Sequence, residues 1–263
     1  MSQISSRINK ALSSVLGYDP VTKFRVHKID KLVTIGTDYG GWSIPSKLLH
    51  AGSVCYLAGA GEDLSFDTGI AERYGCHVHI FDPTPKARKH FEALSSALQD
   101  GRKQAVNNST VMFYSIGGEK LPLLHYHELG LWDKEEVLRF YAPRKSEHAS
   151  YSALNIQKTE EFIEAKADRL SSVMKKHGHN SIDLLKLDIE GAEYKVLQTI
   201  IEDGLDISAI CVEFDEAHFS IDDQFVSRIR AALQALINYG YVIIDCNEHC
   251  NYTLVRKELL QQF

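Results

Sequence analysis

Asp188 and Glu190 stand where an apolar run, Ile182-Asp183-Leu184-Leu185-Lys186-Leu187, gives out. Gly191 follows, and then Tyr194, Val196, Leu197, Ile200 and Ile201 recur at helical spacing. The segment reads as a buried strand, a sharp turn and a helix. Carboxylates at the carboxyl end of a buried strand sit where open α/β sheets bind ligands. Two of them are costly there unless they hold a hydroxyl, a cation or a metal. Glu213 and Asp215 end the next predicted strand, with His218 in the loop beyond. If the two strands are neighbours, Asp188, Glu213 and His218 form one corner that can remove a proton. Hard oxygen ligands of this kind can also hold a divalent cation, although no metal is assigned. Asp188 and Glu190 are equally able to cap the helix that follows.

A second constellation lies in the other half. Ser53-Val54-Cys55-Tyr56-Leu57-Ala58 is a predicted strand that runs into Gly59-Ala60-Gly61-Glu62-Asp63. The segment 77–81 is a second strand, ending in Asp82 and Pro83. Glycines after a first strand let the backbone approach a ligand closely. An acid at the end of the second strand, roughly 20 residues on, is placed to take ribose hydroxyls. The loop has no third glycine and adds Glu62 and Asp63, which repel a pyrophosphate but not a sulfonium. No phosphate-loop Lys-Ser or Lys-Thr follows. These features favour S-adenosylmethionine over NAD.

The run Leu184-Leu185-Lys186-Leu187-Asp188-Ile189-Glu190-Gly191-Ala192-Glu193 closely resembles the hallmark of the FkbM family of S-adenosylmethionine-dependent methyltransferases. Cys211-Val212-Glu213-Phe214-Asp215 and Tyr239-Gly240-Tyr241 also fit that pattern. Ser65-Phe66-Asp67, the run 75–83 and Asp38-Tyr39-Gly40-Gly41-Trp42 look like the neighbouring methyltransferase-like proteins. The resemblance spans residues 34–256. It implies a Rossmann-like class I methyltransferase fold: α/β, a mostly parallel seven-stranded sheet, helices on both faces, and an antiparallel last strand. It implies a cofactor site at Gly59, Ala60, Gly61, Glu62, Asp82, Pro83 and Asp188, with adenine at Ser115 and Ile116. The acid such enzymes carry two positions before the first glycine is Leu57 here, so Glu62 or Asp63 is expected to take the cofactor's amino group. The expected reaction is O-methylation of a small molecule or sugar. An NAD-dependent oxidoreductase on the same sheet would need the missing third glycine. A cofactor-binding module without activity is the other alternative, and the presence of both Asp82 and Asp188 speaks against it.

The elements that position these residues alternate α and β along 263 residues, and one domain is expected. An amphipathic helix over 3–16 and a helical extension over 1–30 precede it, as a sheet-edge cap, a lid or a dimer contact. Residues 31–36, 111–116, 162–167, 209–214, 241–246 and 251–256 read as strands, with 84–98 and 225–237 as helices. Residues 119–160 carry no clear period and read as an irregular insert, usually functional or mobile at that length. With Asp38–Trp42, the insert is expected to wall the acceptor pocket. His125 and His127 share a strand face at best and are taken as solvated. Cys246, His249 and Cys250 lack a further ligand pair and read as loop residues rather than a zinc site. A net charge of −6 argues against nucleic acid as the main partner. The chain has no 18-residue apolar run and no apolar leader. A cytoplasmic protein, not bound to membranes, with reduced cysteines is expected, and a homodimer is open.

Overall fold

A computed structural model describes residues 17–107, 109–144, 150–155, 157–220, 222–247 and 250–263. The amphipathic stretch 3–16 lies outside them. Residues 17–30 form no helix, which corrects the expected extension. Asp19 turns the chain locally, accepting the amide N–H groups of Val21 and Thr22 at 2.8 and 2.9 Å. Such side-chain bonds compete with a helix. The segment then lies along the sheet edge, where Val26 bridges Ile243.

A small antiparallel hairpin comes first, β1 (Leu32–Ile35) and β2 (Trp42–Pro45). The alternating core follows: β3 (Val54–Ala58), α1 (Ser65–Tyr74), β4 (His77–Phe81), α2 (Pro85–Gln99) and β5 (Leu124–His127). Next come β6 (Gly130–Trp132), β7 (Glu136–Tyr141), β8 (Phe162–Arg169), α3 (Leu170–His177) and β9 (Ser181–Leu187). The chain closes with α4 (Glu193–Glu202), β10 (Asp206–Glu213), α5 (Phe225–Asn238), β11 (Tyr241–Cys246) and β12 (Asn251–Arg256).

The main sheet has seven strands in the order β11-β12-β10-β9-β3-β4-β5. Neighbouring strands from β10 to β5 are parallel, and β12 is antiparallel to both β10 and β11. Side chains alternate across it. Cys55 and Leu57 join Ile70, Ala71, Ala87 and Leu94 in one apolar layer, under α1 and α2. Tyr56 and Ala58 join Val173, Val196, Ile200, Ile229 and Leu233 in the other, under α3, α4 and α5. This is the fold expected from the sequence, an α/β sheet with helices on both faces.

Two expectations fail in the middle of the chain. Residues 111–116 form no strand; among the described residues they make one isolated bridge, between Ala105 and Phe113. Their alternation reflects two inward side chains, Tyr114 and Ile116, while Val111 is 81% exposed. The edge strand is β5 instead. The supposedly irregular 119–160 contains β5, β6 and β7, and β6 and β7 flank β8 in a second, three-stranded sheet. Trp132, Phe140 and Ala167 of that sheet pack on Ala192, beside the Asp188–Gly191 turn.

Candidate functional site

The carboxyl ends of β3, β4, β9 and β10 surround a cavity of about 830 Å³. Its floor is where two strand ends touch. Gly59 has φ +87°, and a Cβ there would overlap the carbonyl oxygen of Asp188. The Asp188 N–H donates to the Ala58 carbonyl at 3.2 Å. Lys186, 4% exposed, reaches across the same gap. Its ammonium donates to the Gly59 carbonyl at 2.5 Å and pairs with Asp188 at 3.0 Å. Burial alone would push the Lys186 pKa down; Asp188 and Asp67 outweigh it and hold the pKa raised.

Asp82 fixes the other side of the glycine loop. One oxygen accepts the N–H groups of Ala60 and Gly61 at 3.0 and 2.9 Å. The other accepts the N–H and hydroxyl of Thr84 at 2.8 and 2.6 Å. Thr84 in turn caps α2, with Pro85 at its first position. Asp63 holds the loop's far end, accepting the Thr37 hydroxyl at 2.6 Å and the Ser65 N–H at 2.9 Å. Glu62 faces the cavity.

The opposite wall is acidic. Glu190 adopts φ +54°, a left-handed conformation uncommon outside glycine. Glu193 stabilises this turn, one oxygen accepting the N–H groups of Ile189 and Gly191 at 3.0 Å each. Ser152, from the segment after β7, donates to the Glu190 carbonyl at 2.6 Å. Burial, then the charges of Asp188 and Glu190, pushes the Glu213 carboxyl up to about 8. Burial also raises Glu190 and Glu193, each to about 7, and lifts Asp215 well above its ordinary range. One oxygen each of Glu193 and Asp215 is buried without a donor. Carboxyls this close and this dry hold protons near neutrality or take a cation. The His218 imidazole lies 3.4 Å from Glu213.

Gly59, Ala60, Gly61, Glu62, Asp82, Pro83, Asp188, Glu213 and His218 thus line one cavity. Ser115 and Ile116 do not line it; Ile116 is buried in the core, and its segment supplies Tyr114, whose hydroxyl accepts the Leu64 N–H at 3.0 Å. Asp38, Tyr39, Gly40 and Gly41 reach the rim, with Tyr39 76% exposed, whereas Trp42 is a core residue. The insert contributes Gly130, Leu131, Phe140, Ser150 and Tyr151. Lys186 is the site residue that sequence reasoning misses, and a lone lysine inside the apolar run 182–187 is its signal. His249 lies outside the described residues. Among the described residues, no helix is long and apolar enough to cross a membrane.

The cavity suits S-adenosylmethionine. It is large enough for a nucleoside and an amino acid, its floor is a side-chain-free glycine turn, and its walls carry acids that favour a sulfonium. No curated protein matches the chain. The fibrillarin pre-rRNA processing protein of Methanococcus jannaschii is similar over 88% of this chain and 85% of its own, at 11% identity and TM-score 0.39. A methyltransferase of Pyrococcus furiosus is similar over 98% and 99%, at 10% identity and TM-score 0.34. The FkbM methyltransferase domain matches residues 58–243, from the end of β3 into β11. With that match over most of its length, the chain belongs to the FkbM family of S-adenosylmethionine-dependent methyltransferases.

Proposed function

We propose that the protein methylates a hydroxyl of a small molecule or sugar, with Glu213 as general base. The observation that carries this reading is Glu213 itself. Its carboxyl lies on the cavity wall, is raised to about 8 and has the His218 imidazole 3.4 Å away. A hydroxyl acceptor needs its proton removed, and a base with a pKa near the working pH does this best.

S-adenosylmethionine, when bound, supplies an electrophilic methyl group on sulfur. The nucleoside is placed along Gly59, Ala60 and Gly61, with Asp82 at the ribose end and Glu62 or Asp63 towards the amino group. Both oxygens of Asp82 already accept bonds from the protein. A ribose hydroxyl there shares or replaces one of them. Asp188, held by Lys186, orients the methyl-bearing end. Glu213 would take the hydroxyl proton of the acceptor as the acceptor oxygen received the methyl group from sulfur. His218 is placed to relay that proton to solvent. The chain's contribution is orientation, a dry wall and one proton transfer.

The test uses S-adenosylmethionine labelled in the methyl group with a panel of monosaccharides and phenols. Label is expected in a methoxy product, identified by NMR, and Glu213→Gln should lower its rate by about 10²–10⁴-fold. Label on nitrogen or carbon, or full activity in Glu213→Gln, would sink the reading.

A further inference from the structure

Six of the twelve histidines of the chain gather at one place outside the cavity lining, where His127 stacks on Phe81 of the cavity wall. His77 and His79 lie on β4, and His125 and His127 on β5, where His79 pairs with His125 and Phe81 with His127. All four face the α3 side of the sheet. His177 is the last residue of α3, and His179 follows the left-handed cap Gly178, φ +73°. The rings stack or tilt against one another, 4.6 Å apart for His127 and His177 and 5.1 Å for His79 and His177.

Ordinary packing explains part of this. His77 Nδ1 lies 2.9 Å from His125 Nε2, which serves both as a hydrogen-bonded pair at the exposed end. His179 is held by the Tyr56 hydroxyl at 2.8 Å. The remaining three are different. One nitrogen each of His79, His127 and His177 falls within 4.8 Å of the other two. His79 Nδ1 and His127 Nε2 are already 3.1 Å apart. In a tetrahedral site with Zn–N of about 2.0–2.1 Å, neighbouring nitrogens stand about 3.4 Å apart. Neutral imidazole is the form that binds metal. His79 is buried, His127 half-buried and His177 exposed, which leaves a route in from solvent. The acids of the cavity do not converge in this way; among the described residues the converging group is these three histidines.

We propose that His79, His127 and His177 bind one divalent transition-metal ion of the zinc class, with water in the fourth position. Imidazole ligands select zinc, nickel and copper over magnesium and calcium. The ion ties the edge strand β5 and its neighbour β4 to the end of α3.

The test uses the full chain, stripped with chelator and dialysed against Zn²⁺ or Co²⁺. One equivalent should bind, and Co²⁺ should develop the visible bands of a tetrahedral site. His127→Gln, and separately His177→Ala at the exposed end of α3, should each weaken Zn²⁺ binding at least about tenfold. S-adenosylhomocysteine affinity should stay the same in His177→Ala, which separates this site from the cofactor cavity. Cys246→Ser should leave Zn²⁺ binding intact. No stoichiometric Zn²⁺ on the wild-type chain, or equal affinity in both histidine variants, would overturn the proposal. So would loss of Zn²⁺ in Cys246→Ser alone.

Discussion

Glu213 and Asp82 show how burial gives like carboxyls different work. Glu213 has acidic neighbours and sits at about 8, so it is protonated over much of the neutral range. As the proposed base it acts when ionised, so the rate should rise with pH through about 8 and level above it. A pH–rate profile checks this; Glu213→Gln should lose that limb. Asp82 is more deeply buried, and burial raises its carboxyl too, but four donors surround it and oppose the rise. Asp82→Ala frees the N–H groups of Ala60 and Gly61, loosening the loop and removing a ribose acceptor. Loss of a charge-assisted bond costs roughly 1.5–3 kcal/mol, so calorimetry should show S-adenosylhomocysteine bound at least tenfold more weakly. Unchanged affinity would remove Asp82 from the site.

Among the elements, the strands that carry the acids were legible because β9 and β10 are apolar runs with abrupt acidic ends. Their adjacency was legible only through the resemblance, since pairing is decided by contacts distant in sequence. Two features were not legible. An alternating run at 111–116 looks like a strand when two inward side chains fall two residues apart, and nothing local says that no partner lies alongside. The sheet β6-β8-β7 escaped because its edge strands are short, at three and six residues, and depend on β8 some 20 residues further on. Gly59 carries a reason that sequence assigned to the ligand alone: its Cβ would strike the Asp188 carbonyl. Gly59→Ala must therefore part β3 from β9 and break the Lys186 bond. A loss of roughly 2–4 kcal/mol is expected by denaturant unfolding, with cofactor binding abolished. The Tyr39 turn and the small sheet carrying β6 and β7 both line the cavity, and hydrogen exchange in both should slow when S-adenosylhomocysteine binds. No gain in protection would show that these walls do not close.

At the scale of the whole molecule, the acidic wall makes stability and cofactor binding depend on pH together. The carboxyls of Glu190, Glu193 and Glu213 are raised to about 7, 7 and 8. The folded chain then holds more protons than the unfolded one from the ordinary carboxyl range up to about pH 8. Stability from these groups is present at low pH and is lost as pH rises through that window. The histidines of the β4–β5 cluster oppose this only below about pH 6.5, where the unfolded chain would protonate them. Thermal melts should thus fall between about pH 6.5 and 8.5. A bound sulfonium favours the ionised acids, so S-adenosylmethionine should raise the melt more at the upper end than the neutral thioether does. An equal effect of both ligands at every pH would remove the acids from the sulfonium's surroundings.

The most direct measurement is parallel calorimetric titration of the chain with S-adenosylhomocysteine and with NAD. One equivalent of S-adenosylhomocysteine bound, and no heat from NAD, is the predicted result. Binding of NAD, or of neither, would contradict the assignment of this cavity to S-adenosylmethionine.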